Sequence, residues 1–480
     1  MIDARGNPVS TGSTQALAHA ETALWRMVSF FHAPLDDLQA ASAADPAWAL
    51  PHILRAGFFL SLTEPALVKD ARLALAQARR LATHASERER MHLAAAQTCA
   101  DGDWQGACAQ WQIILDRHPR DLAALQWAHL FDFYRGDAQS LQARAAQVLP
   151  EWDRADPLHA YVLGMHAFGL EESGHYDEAE SVGRQALAGP AKVPWATHAV
   201  AHVMEMQGRF EAGAQWLRER EPVWGDDNGF AIHHWWHLAL FQIEGLDLAA
   251  ALALYDRHLG SANAVVTLNR IDGAALLWRL HLLGADVGTR WFDVATGWDL
   301  SAASVGHSSF NDMHALLVLI GQQRMADAAA LVAAAQQHAQ SAPVSQRATL
   351  GEVGLPLLQA MLAFGRGDFA GAVTLIAPLR AQLHRLGGSH AQRDLVAQTL
   401  LAASARACEG CLFEDLLQQR CHKPLTPLTA LVPRHVALGD PRLTPSVRPA
   451  LPSRTPAAPP AVPARAADAA PGEPGCAPAA

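Results

Sequence analysis

The fold is decided by a short turn signature, which is Gly-His-Tyr-Asp-Glu-Ala at residues 174–179. Its pattern is a glycine, any residue, an aromatic residue, two further residues and a small residue. Other full copies of this pattern begin at Gly102, Gly208 and Gly367. Weaker copies begin at Gly136, Gly245, Gly284 and Gly321.

The spacing of these turns indicates a repeat protein. Neighbouring turn glycines are 34 to 46 residues apart, as from Gly102 to Gly136 and from Gly321 to Gly367. A period near 34 with a helix on each side of the turn is typical of tetratricopeptide-type repeats. One such unit cannot bury its apolar face alone, so neighbouring units stack into a superhelix with a concave surface. The sequence therefore predicts an all-α protein, a tetratricopeptide-type α-solenoid of stacked helical hairpins.

Composition divides the chain into three segments. Residues 1–12 are expected to be a flexible N-terminus, and residues 13–440 a helical repeat domain. From about residue 441 proline and alanine dominate and aromatic residues vanish. Such a segment cannot bury enough apolar area to offset the entropy lost on ordering. Residues 441–480 are therefore predicted to be a disordered tail.

The net charge argues against several classes of partner. The formal charge is −10 and the pI is near 6.2, whereas nucleic-acid binding requires a basic stripe. The first residues lack the apolar core of a signal peptide, and no apolar run was expected to approach the length of a bilayer span. We therefore expect a cytoplasmic protein with no nucleic-acid or membrane partner.

The six cysteines are too few for a disulfide scaffold. Cys408 and Cys411, followed by Cys421 and His422, have the residue types of a zinc or redox fragment. However, their segment has the spacing of a helical hairpin, and a structural zinc site needs four ligands in a compact framework. Buried, unreactive thiols are the favoured interpretation.

Polar residues recur at similar offsets before the turn glycines. Positions three, four or seven apart share one face of a helix, so these residues form a stripe on successive first helices. We expect them to line the concave wall, where side chains from neighbouring helices converge. The stripe consists of His129, Asp132, His166, Glu171, His198, His202, Glu205, His234, Trp235, His237, Asp272, Asn311, Asp312 and His314.

The stripe contains a candidate metal site. His198 and His202 are four residues apart and can bind one metal from one helix, and bundles build such sites from histidines and carboxylates on facing helices. Nitrogen and oxygen ligands suit zinc, iron or manganese rather than copper(I). Glu205 and Asp312 are the candidate general bases for a metal-bound water. The possible ligands are His198, His202, His234, His237 and His314.

A structural interpretation of the same residues stays open. Buried histidines often hydrogen-bond to a carbonyl or a carboxylate, and Trp235 and Trp236 suit packing between repeats. Further along, the segment 387–394 contains His390 and Arg393. It is favoured as a helix cap formed by Ser389, and alternatively it closes one end of the groove.

Four separated segments, at residues 198–209, 234–240, 310–315 and 387–394, resemble the tetratricopeptide repeat protein 38 family and its bacterial relatives. The likeness covers roughly residues 15–430. It implies an all-helical repeat protein and no particular reaction. The cysteines near residue 410 and the proline-rich tail are not part of the family pattern.

These observations lead to two functional hypotheses. The first is a repeat protein that binds a small molecule or a peptide partner in a histidine-rich concave groove. The second is a metal-dependent, hydrolase-like enzyme that uses a histidine and carboxylate site in the same groove, with zinc, iron or manganese as the possible cofactor.

Overall fold

The computed structural model describes residues 1–342, 344–420 and 426–430. Within these residues the β structure consists of two isolated bridges, Ile2 with Pro8 and Phe31 with Asn228. All other regular structure there is helical. The prediction of an all-α solenoid is confirmed.

The helices are numbered in chain order. They are α1 (Thr14–Ser29), α2 (Pro34–Ala44), α3 (Leu50–Ser61), α4 (Pro65–Leu81), α5 (Glu87–Ala100), α6 (Trp104–Arg117), α7 (Leu122–Arg135), α8 (Ala138–Val148), α9 (His159–Glu172), α10 (Tyr176–Ala186), α11 (Pro194–Met206), α12 (Phe210–Glu219), α13 (Glu221–Trp224), α14 (Ala231–Glu244), α15 (Leu248–Leu254), α16 (Thr267–Leu282), α17 (Arg290–Val294), α18 (Ser309–Gly321), α19 (Met325–Ser341), α20 (Val344–Thr349), α21 (Leu355–Gly365), α22 (Phe369–Ile376), α23 (His390–Arg406) and α24 (Gly410–Arg420). Short 3₁₀ segments cover Ala82–His84, Leu149–Glu151, Ala302–Ser304 and Ala377–Leu386, and π turns cover Tyr255–Leu259 and Leu350–Gly354.

The turn signature connects the two helices of a hairpin, as in α5/α6 and α9/α10. The turn glycines Gly102 and Gly174 have φ angles of +88° and +81°. This left-handed conformation ends a helix and is open to glycine because it lacks a Cβ atom. The signature is thus a helix C-cap followed by the start of the second helix.

In two of the weaker copies, the left-handed turn residue lies one or two positions after the glycine that the sequence pattern indicated. The left-handed position after α14 belongs to Leu246 and the one after α18 belongs to Gln323, each with φ of +61°. Gly245 and Gly321 lie just before these positions, within or at the end of the first helix. The turn geometry is therefore kept although the glycine is displaced.

The first helices of the middle hairpins are buried around most of their surface. Every residue from Pro194 to Glu205 in α11 is buried, as is every residue from Leu122 to Asp132 in α7. A second helix such as α10 is buried along one face only. An open concave wall would leave the inner helices facing water, so another element must cover them.

Helix α23 provides this cover, because it packs against α11 and α16. The Trp278 Nε1–H donates to Thr399 Oγ1 at 2.9 Å. The Arg279 guanidinium donates to the Ala391 carbonyl at 2.7 Å. The concave side therefore contains a helix of the same chain.

Early and late repeats also meet. The backbone N–H of Thr267 donates to Glu64 Oε1 at 2.6 Å, and the Asn311 amide donates to the Thr63 carbonyl at 3.1 Å. The superhelix is therefore closed on itself, whereas the repeat pattern predicted an open groove.

The N-terminal segment makes specific contacts with the body. Val9 and Arg5 are buried, and the Arg5 guanidinium forms ion pairs with Asp3 and Glu21. The Asn7 amide donates to the Arg120 carbonyl at 3.3 Å. These contacts favour a packed segment over the flexible one that the composition suggested.

Three further expectations concern the apolar runs, the cysteines and the C-terminal tail. One helical run, residues 346–365, is long and apolar enough to cross a membrane by length and composition, although core helices of soluble proteins share this property. This run departs from the expectation that no apolar segment approaches the length of a bilayer span. Cys408 and Cys411 are exposed, not buried. Cys421, His422 and the predicted disordered tail lie outside the described residues.

The closure predicts unequal effects of alanine at two turn glycines. A Cβ at Gly136 would lie 1.6 Å from the His384 carbonyl oxygen, whereas a Cβ at Gly174 has nothing within 4 Å. Both positions have positive φ, so both substitutions cost left-handed strain of about 1–2 kcal/mol. Gly136→Ala should lose about 1–3 kcal/mol more unfolding free energy than Gly174→Ala, because only at Gly136 does the added methyl group overlap a neighbouring carbonyl.

Urea unfolding of the two variants measures this difference. Equal losses would mean that the contact between α7 and the 377–386 segment does not hold the closed form together.

Candidate functional site

The closed interior contains a partly enclosed cavity of about 510 Å³. Its walls come from the first helices and from the segment just before α23. Val265 on the wall is 74% exposed, so the cavity reaches solvent near the start of α16. The aromatic wall residues are Phe30, Phe31, Phe58, Trp127, Phe133, Tyr134, Trp195, Phe230 and Phe310.

Polar side chains interrupt this aromatic wall at a few places. His198, His233 and Asp272 form one polar group, and Asn311 and Gln392 also line the cavity. Such a wall, mostly apolar with a few polar groups, is typical of small-molecule sites.

Four histidines meet at this polar group. One ring nitrogen from each of His198, His202, His233 and His237 lies within 4.8 Å of the other three. The Nε2 atom of His233 is 3.1 Å from Nε2 of His198 and 3.2 Å from Nε2 of His237. Helix α11 supplies one pair and α14 supplies the other, each pair at a spacing of four residues. These residues are called the histidine cluster below.

Carboxylates hold the outer nitrogens of the cluster. His233 Nδ1 lies 2.9 Å from Asp272 Oδ2, and His237 Nδ1 lies 2.9 Å from Glu205 Oε2. Because a carboxylate only accepts, each Nδ1 carries the hydrogen. In the neutral form of each ring, Nε2 then has a bare lone pair.

Burial keeps other cluster members neutral. The pKa of His198 and that of His237 lie well below the usual range because both rings are buried and face other histidines. Burial also lowers the pKa of His202 to about 4. His198 Nδ1 and both nitrogens of His202 are buried without a hydrogen-bond partner among the described residues.

A second group of acids lies behind His202. His202 Nδ1 is 3.4 Å from Glu171 Oε2, and burial beside Glu172 raises the pKa of Glu171 well above its usual range. Burial opposes ionisation of Glu172 too, but the hydrogen bond to His390 and the charge of Arg393 lower the pKa of Glu172. His390 and Arg393 thus contact Glu172 from the start of α23. The Ser389 cap is also present, as a capping box with Gln392.

The structure does not bring His234 into the cluster. Its two ring nitrogens lie 3.1 Å from the carbonyls of Phe230 and Pro194, and its ring stacks on Trp224. His233, which was not among the predicted site residues, occupies the cluster instead. The signal was present, because His233 precedes His237 by four residues, as His198 precedes His202.

His314 and Asp312 also lie outside the cluster. His314 Nδ1 is 2.8 Å from the Phe310 carbonyl, and burial lowers the pKa of His314 to about 4. Asp312 accepts the Gly306 N–H at 3.0 Å, and burial raises its pKa to about 8. Neither residue lines the cavity.

The remaining predicted residues have separate surroundings. Asp132 pairs with Arg144, and Trp235 stacks on His258 at 3.8 Å between ring centroids. His129 lies against the rings of Phe168 and Trp195. His166 does not line the cavity, and its partial burial lowers its pKa.

Comparison with known proteins adds little to this description. No protein-family model matches the chain. Among solved structures, the crystal structure of yeast Tom70 matches with a TM-score of 0.41 and 10% identity, over 83% of this chain and 88% of that chain. The all-α fold rests on the coordinates of this chain itself.

Buried histidines predict acid sensitivity. Burial lowers the pKa of His129 to about 3, whereas a histidine in an unfolded chain titrates near 6.5. The unfolded state therefore binds more protons below pH 6.5, and stability falls as the pH falls from there towards 3. Replacing this ring with His129→Phe should reduce the loss of unfolding free energy between pH 7 and pH 5 by about 1–2 kcal/mol.

Denaturant unfolding at both pH values tests this, with the exposed His84→Gln as the matched control. The same pH dependence in wild type and the His129 variant would contradict the assignment of a neutral, buried ring.

Proposed function

We propose that this protein binds a small molecule in the interior cavity. The observation that carries the proposal is a cavity of about 510 Å³ with a mainly apolar, aromatic wall that polar side chains interrupt at several places. Ligand sites for small molecules have volumes of roughly 300–1,000 Å³ and the same mixture of apolar lining and a few polar groups.

Closure of the superhelix favours a small molecule over a peptide. A peptide in a repeat groove needs an open concave wall along several units. Here α23 occupies that side, and the Asn311 to Thr63 hydrogen bond joins distant repeats. A partner peptide would have to displace both, whereas a small molecule fits beside them.

The wall also suggests the class of molecule. Phe230 lies at the centre of a group of rings, with centroids 4.9 Å from Phe30 and 5.1 Å from Trp195. Offset and edge-to-face ring contacts favour aromatic or other flat apolar groups. The polar group at His198 and Asp272 supports a ligand with at least one polar end.

A metal-dependent hydrolase is the second candidate, because His198 and His233 belong to both the cavity wall and the histidine cluster. The general bases suggested by the sequence do not favour it. Glu205 holds His237 Nδ1, and Asp312 does not line the cavity. Small-molecule binding is therefore preferred.

Filling the cavity tests the proposal. N-phenyl-1-naphthylamine, an uncharged aromatic probe, should bind the wild-type protein at one site with increased fluorescence. Leu268 lines the cavity, so Leu268→Trp should weaken binding at least about tenfold, a loss of about 1.4 kcal/mol.

Leu73→Trp is the matched control, because Leu73 is 69% exposed and does not line the cavity. Circular dichroism checks that both variants fold. Absence of saturable binding to the wild type, or equal binding to both variants, would reject the cavity as an apolar ligand site.

A further inference from the structure

The histidine cluster has a geometry that its own hydrogen bonds leave unexplained. Asp272 and Glu205 fix the hydrogens of His233 and His237 on Nδ1. The two Nε2 lone pairs then face each other at 3.2 Å. Two lone pairs repel at this distance, so the arrangement requires a positive charge between them, either a proton or a metal ion.

We propose that His198, His202, His233 and His237 bind one divalent first-row metal ion, for which zinc is the best match. The ligand atoms would be one ring nitrogen from each histidine, supplied by two pairs at a spacing of four residues on neighbouring helices. The site goes beyond small-molecule binding and does not depend on it.

The distances agree with a tetrahedral zinc site. Zinc binds histidine nitrogen at about 2.0–2.1 Å, which places two nitrogens of a regular tetrahedron about 3.3 Å apart. The measured separations from His233 Nε2 are 3.1 and 3.2 Å. The six separations among the four nitrogens are all within 4.8 Å, and two of them already match a regular tetrahedron.

The surroundings of the cluster also fit a divalent ion. Histidines that bind metals commonly donate the other N–H to a carboxylate, as His233 does to Asp272 and His237 does to Glu205. Two carboxylates beside four imidazoles favour a cation at this position.

The ligand set narrows the choice of metal. Four imidazoles suit zinc, nickel, copper(II) and iron, whereas manganese favours carboxylate and water oxygens. The sequence pattern allowed manganese, because it placed carboxylates among the direct ligands. In the structure Glu205 and Asp272 contact histidines instead.

Metal binding is measured on the full chain without a histidine tag. The protein is stripped with a chelator and titrated with Zn²⁺, and with Co²⁺ as a coloured substitute. We expect one ion per chain and the intense visible absorption of four-coordinate Co²⁺. His233→Gln should weaken Zn²⁺ binding at least about 100-fold, and Asp272→Asn should weaken it about 10- to 100-fold.

The matched control is His234→Gln. His234 is the next residue on the same helix and is fully buried, but carbonyls surround its nitrogens. This variant should keep one Zn²⁺ per chain even where it lowers thermal stability. If His233→Gln does not fold, the Zn²⁺ affinity of Asp272→Asn is compared with that of His234→Gln instead.

Two results would overturn the proposal. If the wild-type protein bound neither Zn²⁺ nor Co²⁺ saturably, the Nε2 atoms of the cluster would share a proton instead of a metal ion. If the His233 variant kept the ion while the His234 variant lost it, His234 and not His233 would be the metal ligand. Binding of N-phenyl-1-naphthylamine is measured in parallel, so that failure of the metal site is distinguished from failure of the cavity.

Discussion

The cover that α23 places on the concave side is the constraint on which the interior depends. Once this helix replaces water, each polar group on the inner helices needs a protein partner. Arg279 shows the effect: it is buried, donates to the carbonyls of Ala275 and Ala391, and lies over the ring of Trp236. The polar stripe thus becomes a set of buried groups rather than the wall of an open groove.

The same exclusion of water determines the chemistry of the histidines. In an open groove these rings would titrate near neutral pH. Burial instead lowers the pKa of His198, His202 and His237. They act as neutral rings. Carboxylates lie beside Nδ1 of His202 and of His237, whereas His198 Nδ1 has no hydrogen-bond partner among the described residues. The interior therefore offers lone pairs and aromatic surfaces to any molecule that enters it.

Local rules explain why most of the fold could be predicted and the closure could not. A left-handed turn residue and a following amphipathic helix are encoded within a few positions, as at Gly174. Closure depends on contacts such as Trp278 with Thr399, which are 121 residues apart. His233 and His234 point about 100° apart around the axis of α14. In the structure His234 stacks on Trp224, and His233 therefore faces the cluster. The spacing to His237 was the only local signal for that choice.

The cavity and the histidine cluster are physically one site, because His198 and His233 belong to both. A flat apolar molecule held by Phe230 and Trp195 would therefore lie within reach of the cluster. The carboxylates nearest to it, Asp272 and Glu205, are engaged with ring nitrogens, so they orient the histidines rather than contact a ligand first. Selection of a ligand would then combine two demands: an aromatic body that fits the wall, and a polar end that meets an array of imidazoles. A closed solenoid satisfies both demands at once, because the helix that excludes water also encloses the rings.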